Sequence, residues 1–337
     1  MRAAVFAGAG KPLAVENVAD PEPGPGEVII KVHRCGICGS DIHMTSEHTP
    51  FYPAGSVIGH EFAGEVVALG RGVEKLKVGQ RITAMPVAGC GRCAACLAGW
   101  PLACEQAQTM VGGFAEYTRA AEASAIVLPQ TVSMADGALI EPLAVGLHGA
   151  SAAHMTPGAR VLVIGAGSVA LSAIYWCHRL GAGRIAVLSR SMRNSDIART
   201  FGARAFELVG EGEAERIADA LGGPPDIVFE CAGAVGLTQK AVELVRLGGT
   251  VMSMGFCAQP DPIVPMVATW RQITMKFTFA YGLADFQYCA DTLDSGVIEP
   301  RLMLSDAISL DELPVKFEAI RAGRAPEVKV QVDPWKA

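Results

Sequence analysis

Over the first 144 or so positions, apolar and polar residues alternate in short runs such as Glu27-Val28-Ile29-Ile30-Lys31-Val32 and Phe62-Ala63-Gly64-Glu65-Val66-Val67. Turn-rich stretches like Pro21-Glu22-Pro23-Gly24-Pro25-Gly26 separate them. Period-two alternation between such breaks predicts a β-rich domain. From about residue 145 the pattern changes. Strand-like runs (Arg160 to Ile164, Arg184 to Leu188, Asp226 to Phe229, Thr250 to Met254) alternate with helix-length segments at Val169 to Leu180, Ser195 to Phe201, Glu213 to Leu221 and Leu237 to Leu247. That alternation predicts a doubly wound parallel sheet with helices on both faces. After about 296 the β-like texture returns, ending in Glu327-Val328-Lys329-Val330-Gln331-Val332. The expected division is therefore 1–144 with 296–337 as one domain and 145–295 as the other. A cleft between two domains is the default place for a small-molecule site.

Composition narrows the possible functions. The chain has 337 residues, half of them hydrophobic, with 38 glycines and a net charge of −6. This is a packed globular composition with no basic footprint, so nucleic acid and acidic membrane surfaces are poor partners. Val161 to Cys177 carries no charge, but two glycines and two serines interrupt it, and a buried strand entering a buried helix explains it better than a membrane span. The start of the chain shows no secretory pattern, and ten cysteines without an export signal suggest reduced thiols in a cytosol, where metal binding outranks disulfides.

The cysteines then carry the chemistry. Cys90, Cys93, Cys96 and Cys104 follow C-x2-C-x2-C-x7-C spacing. Four thiolates this close can close a tetrahedron around a structural zinc. A second set is mixed: Cys38, His60 and Glu61, with Glu141 before Pro142 as a possible fourth ligand competing with water. Three protein ligands and an open position define a catalytic zinc site. Asp41 could orient the histidine from behind. Cys35, at Cys-x2-Cys spacing from Cys38, is an alternative ligand.

The run Val161-Leu162-Val163-Ile164 leads into Gly165-Ala166-Gly167-Ser168-Val169-Ala170, a G-x-G-x-x-A dinucleotide turn between strand and helix. The next strand ends in Ser189-Arg190-Ser191 with Arg193 close behind, where an NAD-binding protein would place a carboxylate. Two guanidiniums and a hydroxyl there suit a 2′-phosphate, so NADP(H) is favoured over NAD(H).

Taken together, Cys38-Gly39-Ser40-Asp41, the Gly59-His60-Glu61 run with Gly64, Gly70 and Gly79, the cysteine quartet and the glycine turn make the chain resemble the zinc-containing medium-chain alcohol dehydrogenases over nearly its full length. Glu141-Pro142-Leu143 resembles the sorbitol, threonine and butanediol dehydrogenase branch. The resemblance implies a β-rich GroES-like catalytic domain beside a Rossmann cofactor domain. It implies two zincs per subunit and hydride transfer with a small alcohol or carbonyl substrate. It also implies a homodimer or homotetramer formed through the cofactor domain. In that scheme Ser40 takes the alcohol proton and His43 relays it, while Cys231 and Gly255 join Gly165, Gly167, Ser168, Val169, Ser189, Arg190 and Arg193 in holding the cofactor. Three departures are visible: Ala170 in the third glycine position, Gln80 where Asp is usual, and a short segment from Cys104 to Gly113. Ile42, Phe51, Tyr52, Trp270 and Tyr281 are candidate pocket residues, which favours a medium-sized secondary alcohol or ketone over a sugar. The alternatives are an NAD-dependent polyol or diol dehydrogenase, a lyase or isomerase on the same fold, and a non-enzymatic zinc and nucleotide-binding protein.

Overall fold

The computed structural model describes residues 1–47 and 51–336. The chain forms two compact units: Met1–Glu141 with Gly282–Ala337, and Pro142–Tyr281.

In the first unit the alternating runs become a mainly antiparallel sheet. Its order is Gln331–Val332, Glu27–Gly36, Glu61–Leu69, Arg81–Ala84 and Ala125–Val127, and Tyr117–Ala121 also pairs with Glu27–Gly36. Val28, Ile30, Val32, Phe62, Val66 and Ile82 bury into one core with Phe114 and Phe317. Bulges fall between Ile29 and Ile30 and between Val32 and Arg34. An extra residue at a bulge bends its strand and re-aims the side chains beyond it. Past the second bulge, Gly36 pairs with Glu61 on one side and with Gln331 on the other. This register brings three distant pieces of sequence to one end of the sheet.

The second unit is a six-stranded, wholly parallel sheet. Its order is Ala205–Leu208, Arg184–Ser189, Arg160–Ile164, Ile227–Glu230, Thr250–Ser253 and Thr274–Phe277. The central strands are buried end to end, as a sheet covered on both faces requires. The uncharged stretch is the Arg160–Ile164 strand followed by the helix Ser168–Arg179, whose residues Ala170 to Cys177 are all buried. Among the described residues no helix is long and apolar enough to cross a membrane.

Three details differ from the sequence reading. The helix expected over 237–247 stops at Leu244, because buried Val245 turns extended and Arg246 bonds back to Pro225. The segment after 296 holds the helix Leu313–Arg321, and its only strand among the described residues is the two-residue Gln331–Val332. The units divide at 141/142 and 281/282, so the helix Leu283–Asp294 joins the first unit, where Leu283 bonds Gly99 and Asp294 bonds Thr131.

Candidate active site and metal centres

Cys38 is the N-cap of the short helix Gly39–Met44, and His60 stands just before the Glu61–Leu69 strand. The paired strand ends bring one donor atom each from Cys38, His60 and Glu61 within 4.8 Å of one another. Asp41, fully buried, anchors two of them: Oδ2 accepts the Cys38 N–H at 3.0 Å, and Oδ1 lies 3.0 Å from His60 Nδ1. Burial opposes charging of the imidazole, but the Asp41 carboxylate prevails and holds the pKa of His60 well above its ordinary value. With Nδ1 engaged, Nε2 faces the donor group, and the Ser40 hydroxyl sits 3.4 Å from it.

Glu61 is fully buried and splits its two oxygens. Oε1 accepts a hydrogen bond from Lys329 Nζ at 2.6 Å, while Oε2 has no hydrogen-bond partner among the described residues. Lys329, 1% exposed, also donates to the Ile37 carbonyl. Burial opposes its charge, yet Glu61 and Cys38 hold the ammonium above its usual range. A buried carboxylate oxygen without a partner is costly unless something completes it. The sulfur, imidazole and carboxylate donors around it are zinc ligands by type, and three of them leave a position open. These residues fit a catalytic zinc ion. Glu141 lies outside the group of three; it is buried and its charge acts on Lys329. Cys35 is buried, its Sγ facing the Gly36 carbonyl, and is not in the group.

Sequence reasoning missed Lys329. The signal was there: Lys329 and Gln331 are polar residues inside the alternating run 327–332, and both are buried.

His43, on the exposed side of its helix, has its pKa lowered by partial burial. Tyr52 senses the site through Asp41, and burial first, then that charge, pushes its phenol up to about 12. Phe51 packs edge-on against Tyr52, and Ile42 against the core of the first unit. Tyr281 is buried, but Trp270 is 84% exposed on the helix Pro265–Trp270 and lines no enclosed pocket.

All ten cysteines are free thiols, and Cys90, Cys93, Cys96 and Cys104 bring their sulfurs within 4.8 Å of one another. Backbone amides of Cys93, Cys90 and Gln106 donate to these sulfurs. Amide hydrogen bonds from Arg92 and Cys93 pull Cys90 down to about 6, while desolvation pushes Cys96 up to about 12. Gly89 is obligatory, since an added methyl would come within 2.4 Å of Cys96 Sγ. Four converging sulfurs with no open position fit a structural zinc.

In the second unit the candidate cofactor residues line the carboxyl ends of the strands. Gly165 has φ +111°, which a side chain rarely adopts, and Gly167 caps the helix that begins at Ser168 and Val169. Ser189 ends its strand, half-buried, and Arg190 and Arg193 are exposed just beyond. Asn194, which the sequence reading did not single out, ties this segment to the glycine turn by donating to the Ala166 carbonyl at 2.6 Å. Cys231 and Gly255 follow the strands Ile227–Glu230 and Thr250–Ser253, and burial raises the Cys231 thiol.

Comparisons with known proteins show the family to which the chain belongs. The pattern of the alcohol dehydrogenase GroES-like domain matches residues 24–130, and that of the zinc-binding dehydrogenases matches residues 168–295. Sorbitol dehydrogenase of Bacillus subtilis (strain 168) is 30% identical over 99% of this chain and 97% of its own. The chain belongs to the zinc-containing medium-chain alcohol dehydrogenases. A family member named as a probable D-xylulose reductase A, from Aspergillus clavatus, is 31% identical over 89% of this chain and 88% of its own. Among solved members, a chain from Sinorhizobium meliloti 1021 named for a zinc-binding dehydrogenase, bound to NADP, superposes with a TM-score of 0.88 at 33% identity, covering 99% of each chain. Membership in this dehydrogenase family sets aside the non-enzymatic reading.

Proposed function

We propose that this dehydrogenase interconverts a medium-sized secondary alcohol and its ketone with NADP(H). Cys38, His60 and Glu61 would hold the catalytic zinc, Glu141 is a reserve ligand, and the cysteine quartet would hold the structural one. The observation that carries the reading is the three-donor group of half-buried Cys38 and His60 with buried Glu61, whose Oε2 has no hydrogen-bond partner among the described residues. When bound, zinc would supply Lewis acidity to the substrate oxygen, and the cofactor would exchange hydride with the adjacent carbon.

The chain's own residues do the rest. Asp41 fixes the ring of His60, and Lys329 holds Glu61 through Oε1. Ser40 takes or returns the alcohol proton, and His43, exposed on the same short helix, passes it towards solvent. Ser189, Arg190 and Arg193 hold the 2′-phosphate, consistent with the NADP-bound relative.

A second reading has its own support. The relatives named for sorbitol and D-xylulose favour a polyol substrate, as in the alternative of an NAD-dependent polyol dehydrogenase. One assay separates the two: 340 nm absorbance with NADP+ and with NAD+ over secondary alcohols, diols and polyols, on protein with its metal content measured. Preference for NADP+ with a simple secondary alcohol supports the first; polyol turnover with NAD+ supports the second. No turnover by protein carrying two zincs would sink both.

We also assign the subunit to a homo-oligomer. The Thr274–Phe277 strand ends the parallel sheet with one edge unpaired among the described residues. Around it Phe277 (73%), Phe279 (57%), Met266 (75%) and Trp270 (84%) are exposed. An open edge beside large apolar side chains favours pairing with a second copy across a two-fold axis.

A further inference from the structure

The loops after the strands Ile227–Glu230 and Thr250–Ser253 converge on one residue, the first on its side chain and the second on its main-chain carbonyl. Glu230 is 2% exposed, and its Oε1 accepts the N–H groups of Ala232 at 2.7 Å and Gly233 at 2.8 Å. Its own carbonyl accepts the N–H groups of Met254 at 2.7 Å and Gly255 at 2.9 Å. One residue thus ties two loops through four amides.

Two glycines let those loops close on each other. A methyl at Gly255 would fall 2.2 Å from the Gly233 nitrogen and 2.5 Å from Glu230 Oε2, and one at Gly233 would fall 2.7 Å from the Phe256 nitrogen. The glycine turn abuts the same place, because a methyl at Gly165 would meet Ala232 Cβ at 3.4 Å. Farther out, Asp261 accepts N–H groups of Gly236 and Thr238 and fastens the second loop to the helix Leu237–Leu244.

A buried carboxyl is an expensive way to hold a loop. Burial and the charge of Asp261 both press its pKa upward against the two amides. An apolar residue would cost less but could not accept two amides. The position explains the choice. The strand order reverses between Arg160–Ile164 and Ile227–Glu230, and a dinucleotide lies over such a reversal. The half of the sheet that ends in Ser189 and Arg190 faces the adenosine, which leaves the loops clasped by Glu230 for the nicotinamide half.

We propose that Glu230 is a positioning residue that fixes the two loops carrying the nicotinamide half of the cofactor. Its side chain acts through the Ala232 and Gly233 amides and by packing Oε2 against Gly255, and the proposal rests on the dehydrogenase reading above.

The test uses the full-length, zinc-loaded protein with Glu230→Gln and Glu230→Ala. NADPH and NADH are titrated by fluorescence, and 2′,5′-ADP and AMP serve as probes of the adenosine half. Zinc content and melting temperature are measured alongside. Glu230→Gln keeps an oxygen for the same two amides and should stay within about threefold of wild type for every ligand. Glu230→Ala should weaken the tighter dinucleotide by about tenfold or more and lower kcat, with its matching adenosine fragment bound as in wild type. Equal loss of dinucleotide and fragment, or no loss of either, would overturn the proposal, as would a folded Glu230→Gln that loses the dinucleotide. Should Glu230→Ala fail to fold, Glu230→Asp withdraws the oxygen by one methylene and should show the same selective loss; a dinucleotide affinity unchanged in it counts against the proposal. If the wild type binds no dinucleotide and turns over no alcohol, the dehydrogenase reading has failed first.

Discussion

Lys329 and Arg190 mark two limits of what a single side chain reveals. Lys329 neutralises the buried Glu61, and removing one partner of a buried pair strands the other's charge. Lys329→Met should cost about 3–5 kcal/mol of stability. It should also lower the zinc retained per subunit, because Glu61 loses the hydrogen bond that holds its carboxylate in place. Calorimetric melting with elemental analysis checks both; full zinc and an unchanged melting point would show that the pair holds nothing in place. Arg190 has the opposite character: it is exposed, and its value depends on a ligand. A charge-assisted bond to a 2′-phosphate contributes about 1.5–3 kcal/mol. Arg190→Ala should therefore raise KM for NADP+ by roughly 10- to 100-fold and leave KM for NAD+ nearly unchanged. Equal effects on the two cofactors would remove the basis for NADP(H). The candidate metal donors were legible because cysteine, histidine and glutamate at short spacings are chemically conspicuous. Lys329 was not, because it lies 268 positions from Glu61 and only the sheet register joins them. Asn194 and Glu230 escaped for a similar reason: hydrogen bonds to backbone leave no mark in a residue pattern.

At the scale of elements, the second unit was the easier to read. Its buried strands are continuous apolar runs and its helices follow at regular intervals, so the boundaries of the four strands and four helices read from the sequence fell within a few residues. The two outer strands, Ala205–Leu208 and Thr274–Phe277, and the helix Pro265–Trp270 were not read. The region after 296 was harder. The helix Leu313–Arg321 has mixed composition and borrows its stability from Leu313 and Phe317 in the core, while Gln331–Val332 becomes a strand only by pairing with Cys35 and Gly36. Long-range pairing of that kind is a tertiary effect that local propensity does not encode. Ion pairs also fasten elements here. Asp226, at the start of the Ile227–Glu230 strand, accepts from the backbone N–H of Arg160 at 2.8 Å, from its Nε at 3.1 Å and from Arg246 Nε at 2.5 Å. Partial burial opposes its ionisation, but the hydrogen bonds from Arg160 prevail and hold the carboxyl far below the ordinary range. A depressed pKa adds stability that is fully present above the ordinary carboxylate value of about 3.9 and is lost as pH falls towards the depressed one. Asp226→Asn should thus lower stability by about 1–3 kcal/mol at pH 7. The gap from wild type should shrink steadily below about pH 4, read as melting temperature against pH. A gap that stays constant down to about pH 2 would mean that the carboxylate's charge contributes nothing.

For the whole molecule, the informative surface is the one the subunit leaves unfinished. The six-stranded sheet is covered on its faces, and its outer strands at Ala205–Leu208 and Thr274–Phe277 differ in what surrounds them. Near the first, Glu207 pairs with Arg216 and Leu208 is 42% exposed, so charge and a modest apolar contribution share that margin. At the second, Phe277, Phe279, Met266 and Trp270 are all more than half exposed. A monomer would pay in solubility for four such side chains beside an unpaired strand, whereas a second copy related by a two-fold axis would pair the strands antiparallel and bury all four from both sides. Phe277→Glu places a charge at the centre of that contact. Light scattering after size exclusion should show the wild type at twice the subunit mass or more and the variant shifted towards the single-subunit mass. The quartet of cysteines and the Cys38, His60 and Glu61 group lie within the first unit, so the variant's zinc content should not change. A wild type that runs as a monomer, or a variant that keeps the wild-type mass, would refute this edge as the interface. Zinc lost together with the mass would instead mean that the metal sites depend on assembly, which nothing in their local geometry requires.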